Sequence, residues 1–258
     1  MNIWHMSGAG NDFVVLDARG KELDFSSLAK KLCEKYGTDG MMALDHSEVA
    51  DFRLHFYNSD GSRGEMCGNG ARCICKFAYD NGVVGQEMTA QTDAGIVYAW
   101  RLNDEHYRMR LNLPSVVDLQ RTENAAYVEL GQPGIPHSIT RVEGLCHDQK
   151  ENLLPLAKEL RFHKAFPKGV NVNFYDWVDK DKVRILTYER WVEDYTLACG
   201  TGSASVAVVL YELGQLPGGV LKMENPGGIL TVTLKGEEGK VTELYLEGPV
   251  VILKKDLL

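Results

Sequence analysis

Hydrophobic positions along this chain fall mostly in short runs separated by polar or glycine-rich turns. Phe13-Val14-Val15-Leu16, Phe52-Arg53-Leu54-His55-Phe56-Tyr57, Val170-Asn171-Val172-Asn173-Phe174 and Val183-Arg184-Ile185-Leu186-Thr187-Tyr188 read as strands. Gly95-Ile96 and Gly228-Ile229 each open a further alternating stretch. Helical spacing covers 26–36 and 151–161, and two apolar segments beginning near positions 67 and 199 also read as helices. Strands outnumber helices and do not alternate regularly with them. That pattern predicts an α+β fold rather than a doubly wound sheet.

The two apolar helical segments belong to a repeat. Cys67-Gly68-Asn69-Gly70 and Cys199-Gly200-Thr201-Gly202 both read Cys-Gly-x-Gly, and each leads into a helix-like run. Tyr79 and Gly82 follow the first cysteine at the offsets at which Tyr211 and Gly214 follow the second. Each glycine suits the position just past a helix end. A strand-like run precedes each cysteine and another follows each helix. The period, 199 − 67 = 132 residues, is too long for a solenoid and points to two related domains. The stretch 112–120 reads as the crossing between them, giving domains of 1–113 and 114–247.

Composition narrows the class. The chain has 258 residues, 44% of them hydrophobic, enough for one large core or two medium ones. A formal net charge of −8 without a run of Lys and Arg argues against a nucleic-acid partner. No apolar stretch is long enough to span a bilayer, and the N-terminal residues lack the basic-then-apolar pattern of a secretion signal. The cytoplasm is therefore the expected location, with no membrane partner. In that setting six cysteines do not form a disulfide framework. Cys73-Ile74-Cys75 lacks zinc-ligand spacing. Cys33, Cys73, Cys75 and Cys146 are read as small buried hydrophobes.

Cys67 and Cys199 call for another explanation. A thiol at a helix N-terminus faces the positive end of the dipole, which favours thiolate. The same N–H groups can receive a carboxylate. Two such loops facing each other give one substrate α-carbon a sulfur on each side, one removing a proton and the other delivering one. Stereochemistry inverts, and the donors steady the developing negative charge. A cysteine hydrolase using His137 as base leaves the second loop unexplained. A Cys67–Cys199 redox pair and purely structural roles also remain open.

The segments Gly10-Asn11-Asp12-Phe13, Phe56-Tyr57-Asn58-Ser59-Asp60-Gly61-Ser62, Glu65-Met66-Cys67-Gly68-Asn69-Gly70-Ala71-Arg72-Cys73, Gly134-Ile135-Pro136-His137, Tyr188-Glu189-Arg190 and Thr196-Leu197-Ala198-Cys199-Gly200-Thr201-Gly202 occur in an order that resembles diaminopimelate epimerases. The resemblance spans nearly the whole chain. It implies two similar α+β domains related by a pseudo-twofold axis, each a curved, mostly antiparallel sheet around a central helix. The C-terminal strand, 248–258, is expected to return to the first domain. The resemblance further implies a small amino-acid substrate, most simply LL-diaminopimelate converted to the meso form in lysine and peptidoglycan biosynthesis, and no pyridoxal phosphate or metal. Members of that family are often dimers, so a homodimer is an expectation. Cys67 and Cys199 match the acid/base pair. Gly68, Asn69, Gly200 and Thr201 match the loop donors for the carboxylate at the reacting centre. Asn11, Asn58, Asn171, Glu189 and Arg190 match the recognition set, much of it directed at the distal amino-acid group.

Three departures bear on substrate. Ile135 stands where many family members have asparagine. Trp191 replaces a glycine usual after the Glu-Arg pair, so it turns outward, packs at a subunit contact or shrinks the distal pocket. Tyr195 stands where glutamate is common. A cofactor-independent racemase of another amino acid, histidine for example, is the alternative they raise.

Overall fold

The computed structural model describes residues 2–237 and 240–257. The chain forms two compact units, Met1–Arg110 with Glu247–Leu258, and Leu111–Leu246.

In the first unit, β1 (Asn2–Gly8) pairs antiparallel with β2 (Asn11–Asp17). Helix α1 (Phe25–Tyr36) crosses over to β3 (Gly40–Asp45), which lies parallel to β2. Antiparallel pairing then joins β3 to β4 (Phe52–Asn58), and β4 to the short β5 (Arg63–Gly64). Helix α2 (Gly68–Asp80) makes a second parallel crossover, to β6 (Glu87–Thr92). β7 (Gly95–Arg101) and β8 (His106–Arg110) continue antiparallel.

The second unit repeats the plan. β9 (Pro114–Asp118), inside the stretch expected as a crossing, pairs with β10 (Ala126–Leu130), and β10 with β11 (Ile135–Arg141). After a 3-10 turn (His147–Gln149), α3 (Lys150–Arg161) crosses to β12 (Asn171–Asp179), parallel to β11. β13 (Lys182–Glu189) pairs antiparallel with β12 and with the short β14 (Asp194–Tyr195). Helix α4 (Gly200–Glu212) crosses to β15 (Val220–Asn225), parallel to β13, and β16 (Gly228–Glu237) follows antiparallel. β17 (Lys240–Pro249) and β18 (Val251–Leu257) complete the chain. β18 pairs antiparallel with β1 in the first unit. The expected α+β architecture is observed, with two parallel crossovers set in an otherwise antiparallel strand order in each unit.

Burial on both sheet faces explains the strand sequences. In β2, Phe13 and Val15 join the core around α2, while Val14 and Leu16 join the core under α1. A strand covered on both faces has no polar side, hence the unbroken apolar run. β12 is different. Val172 and Phe174 enter an apolar cluster with Ala157 and Leu160 of α3. Asn171 and Asn173, on the opposite face, are buried as well. Strand alternation thus puts a row of amides on the face that α4 covers.

Helices α2 and α4 are the centres of their units. Residues 69–78 of α2 and 202–210 of α4 are all buried; α4 has no charged residue over that span, whereas α2 carries Asn69, Arg72 and Lys76 along one side. Their ends are built alike. Gly82 and Gly214 have φ of 70° and 71°. In each case the glycine N–H and the next N–H bond back to two last-turn carbonyls, Tyr79 and Ala78 in one helix, Tyr211 and Leu210 in the other. Positive φ is what the closing turn requires, and glycine adopts it without a Cβ penalty.

Candidate active site

Each Cys-Gly-x-Gly loop forms the start of a central helix. Cys67 and Cys199 occupy the N-cap positions of α2 and α4, both in extended backbone. Their carbonyls accept the first helical bonds, from Ala71 and Ser203. The two cysteines thus share a backbone position, but their side chains differ: Cys199 Sγ caps α4 by accepting from Gly202 N–H, whereas the Cys67 side chain makes no cap bond to α2.

Around Cys199 the geometry is tight. The residue is buried, and Sγ accepts from Gly202 N–H at 3.4 Å and lies 3.6 Å from Thr201 Oγ1. A Cβ on Gly202 would sit 2.2 Å from Asn173 Oδ1 and 3.2 Å from Sγ, so only glycine lets the helix approach the amide row. Burial pushes the Cys199 thiol well above its ordinary pKa, and the Glu189 carboxylate pushes it further; Thr201 and Gly202 N–H pull the other way. The dipole argument anticipated a lowered value. Desolvation of the thiolate at this buried position exceeds the helix-end effect.

Glu189, at the end of β13, accepts from Thr196 Oγ1 at 2.8 Å. Arg190 follows and donates its backbone N–H to Asn171 Oδ1 at 2.8 Å and Nη1 to the Lys168 carbonyl at 2.9 Å. Cys199, Gly200, Thr201 and Glu189 thus form one group, and Asn171 with Arg190 a group adjoining it. Among the neighbours, Asn173 binds Thr187 Oγ1 through Oδ1 and, through Nδ2, the Ser138 and Asn171 carbonyls. Asn173 and Thr187 were not singled out in the sequence; the alternation in Asn171-Val172-Asn173 was the available signal. His137 is fully buried, with Nδ1 3.2 Å from Asn173 Nδ2, and burial lowers its pKa to about 3.

In the first unit, Cys67 is partly buried at the edge of the α2 core. Asn69 Nδ2 donates to Asn11 Oδ1 at 2.7 Å, which joins the Cys67 loop to the start of β2. Asn58 is held in its own turn, donating to Ser62 Oγ at 2.9 Å. Gly68 faces open space, whereas a Cβ on Gly70 would strike Met42 and crowd Phe13.

Of the other cysteines, Cys33, Cys73 and Cys75 are buried and burial raises their thiols, that of Cys75 to about 12. Cys146 is exposed, against the expectation that it packs inside. It precedes the 3-10 turn that opens α3, at the surface rather than on a core-facing position. A cavity of about 650 Å³ in the second unit, lined by Val142, Leu153 and Leu156, contains neither loop. Among the described residues no group of three or more His, Cys, Asp and Glu is placed to hold a metal ion.

The family model described as diaminopimelate epimerase matches residues 3–115 and 131–253. The chain belongs to the diaminopimelate epimerase family. A diaminopimelate epimerase of Aquifex aeolicus is 35% identical over 272 residues, covering 97% of this chain and 95% of that protein. Two solved structures share the fold. One is a phenazine biosynthesis protein of the PhzF family from Bacillus anthracis, with TM-score 0.75, 18% identity and coverage of 100% of this chain and 99% of that one. The other is a probable proline racemase from Agrobacterium radiobacter K84 with bound carbonate, with TM-score 0.67, 18% identity and coverage of 100% and 92%.

Within this diaminopimelate epimerase family frame the departure at Trp191 has a backbone explanation. Its φ is +74°, in the region that favours glycine, and the side chain is 79% exposed. The indole lies 5.4 Å from the guanidinium carbons of both Arg161 and Arg190. A left-handed non-glycine residue costs about 1 kcal/mol, an amount comparable to such cation–π contacts. Ile135 is exposed at the start of β11. The hydroxyl of Tyr195 is buried without a hydrogen-bond partner.

Proposed function

We propose that this chain is an amino-acid epimerase, an isomerase that inverts the α-carbon of LL-diaminopimelate to give the meso form, with Cys67 and Cys199 as acid and base. The observation that carries the reading is the pair of N-cap thiols, one at the head of each central helix. A thiolate breaks the α C–H bond and keeps the proton; the other thiol forms the new C–H bond from the opposite face. Substrate leaves inverted, and thiol and thiolate have exchanged places. First-turn N–H groups at Gly68, Asn69, Gly200 and Thr201 receive the α-carboxylate and steady the charge that develops on it. Burial and Glu189 hold the proton on Cys199, which supports Cys199 as the donor and Cys67 as the base in the first half of the cycle. Asn58, Asn171, Glu189 and Arg190 are the proposed recognition groups for the distal end. A guanidinium suits a carboxylate bidentately. The chemistry requires no cofactor.

Racemisation of another amino acid is the competing reading. The exposure of the Trp191 side chain supports an undiminished distal pocket and so favours diaminopimelate. A cytoplasmic setting suits a pair of reduced catalytic thiols, and no described helix is long and apolar enough to cross a membrane. A homodimer remains the expectation from the family.

The test is α-proton exchange in deuterated water with reduced protein. LL-diaminopimelate should gain deuterium at the inverted carbon, and Cys67→Ala and Cys199→Ala should each abolish epimerisation. Exchange on an ordinary L-amino acid such as histidine, with none on diaminopimelate, would reject the proposed substrate.

A further inference from the structure

The link between Asn69 and Asn11 is the middle of a longer chain. Arg72 Nη2 donates to Asn69 Oδ1 at 2.8 Å. Asn69 Nδ2 donates to Asn11 Oδ1 at 2.7 Å. Asn11 Nδ2 donates to Asp39 Oδ2 at 3.2 Å, and the same oxygen accepts from Asp12 N–H at 2.9 Å. Every bond runs in one sense, from cation to anion.

The polarity is what matters. A side-chain amide flipped by 180° exchanges a donor for an acceptor while keeping its shape. An amide bonded only to other amides can take either orientation. Here the ends are not amides. A guanidinium only donates and a carboxylate only accepts. With Arg72 at one end and Asp39 at the other, a single orientation of both asparagines satisfies all three bonds.

Arg72 is an unusual residue to find where it is. It is completely buried within α2, and its Nε has no hydrogen-bond partner. Nη1 lies 3.4 Å from the Gly68 carbonyl, in the first turn after Cys67. Its hydrogen-bond partners are the Asn69 side chain and the Gly68 carbonyl, and among the described residues no carboxylate pairs with it. Burying a guanidinium without an anion is strongly unfavourable. Packing alone does not call for a cation at this position, and a leucine would occupy the core without that penalty.

We propose that Arg72 and Asp39 are positioning residues for the Cys67 loop, the two poles of a relay that locks Asn69 and Asn11 in one orientation. In that orientation Asn11 retains a second amide N–H beyond the one given to Asp39, a donor suited to an oxygen of a carboxylate substrate. The inference deepens the reading of this loop as an amino-acid site and rests on it. Neither pole touches the reacting carbon; both act through the asparagines.

Asp39→Ala is the discriminating variant, because Asp39 is exposed and its Oδ2 accepts from Asn11 Nδ2. The change removes the accepting pole, so the Asn11 amide is held from the Asn69 side alone. We expect kcat/KM for α-deuterium exchange to fall about tenfold in Asp39→Ala, with the melting temperature within about 2 °C of the parent. The side-chain amide protons of Asn11 and Asn69, slow to exchange in the parent by NMR, should become fast. Asp39→Asn, whose amide oxygen can take the place of Oδ2 and accept from both Asn11 Nδ2 and Asp12 N–H, should restore both. Slow amides that stay slow in Asp39→Ala would show that no relay exists. Fast amides with unchanged kcat/KM would show that the locked orientation does not serve the substrate. If the parent exchanges no diaminopimelate proton, the substrate reading fails, and the amide resonances still decide the relay.

Discussion

Gly202→Ala tests the packing at Cys199 most directly. A Cβ there would lie 2.2 Å from Asn173 Oδ1 and 3.2 Å from both Cys199 Sγ and Thr187 Oγ1. Ordinary contact begins at 3.4 Å, so the amide must retreat by about 1 Å or the helix must lift. Asn173 cannot retreat freely, because Oδ1 holds Thr187 and Nδ2 holds the Ser138 and Asn171 carbonyls. Overpacking of this kind costs about 1–3 kcal/mol. Losing one buried hydrogen bond costs about 1–3 kcal/mol more. Replacing glycine by alanine within a helix returns about 1 kcal/mol. The net expectation is a loss of about 1–5 kcal/mol, centred near 3, and the central value corresponds to about 6–12 °C in melting temperature for a chain of this size. Thermal unfolding followed by circular dichroism reads it. Gly68→Ala, a motif glycine at the start of α2 that is not the counterpart of Gly202, is the control: a Cβ there meets nothing within 4 Å, so its melting temperature should not fall. The steric account is refuted if Gly202→Ala melts within about 2 °C of the parent, or if Gly68→Ala is the less stable of the two.

Two further outcomes are expected. Because Glu189 raises the Cys199 thiol, Glu189→Gln should move the pH midpoint of Cys199 alkylation by iodoacetamide downward; peptide mass spectrometry measures it, and an unmoved or raised midpoint contradicts the assignment. His137, fully buried with its pKa lowered to about 3 from 6.5, stays neutral in the folded chain while the unfolded chain takes up a proton below 6.5. Stability from this group is thus complete above pH 6.5 and declines as pH falls toward 3, by about 2 kcal/mol between pH 7 and pH 5. Urea unfolding at the two pH values should show that much less dependence in His137→Gln, and equal dependence in both proteins would remove His137 as the cause.

Much of this architecture was legible because it repeats. Two Cys-Gly-x-Gly turns, each a fixed distance ahead of a tyrosine and a glycine, announced two equivalent helices, and α2 and α4 begin and end accordingly. Local chemistry decides such features: an N-cap, a run of good packing residues, a glycine able to take positive φ. The strand runs at 13–16 and 170–174 were equally plain, but their places in the repeat were not. One is β2, the counterpart of β11, and the other is β12, the counterpart of β3. Pairing partners lie far apart in sequence, and a four-residue apolar run carries no label for its neighbours.

The candidate site divides in the same way. Sequence alone determined that this chain has two thiols at two helix starts, with glycines and small polar residues around them, because those are properties of short segments. Tertiary structure decided what each segment faces. Gly68 and Gly200 hold the same place in the repeat, yet Gly68 faces open space and a Cβ on Gly200 would meet the Leu246 side chain; Gly70 and Gly202 likewise correspond, yet one faces Met42 and the other a buried amide. The two thiols carry the same dipole argument, yet Cys199 is buried beside Glu189, and its pKa moves opposite to the expectation. Arg72 reads as one more charge on a helix until its burial and its bond to Asn69 are seen. Sterics and desolvation depend on which distant segments close over a group, and only the folded chain brings those segments together.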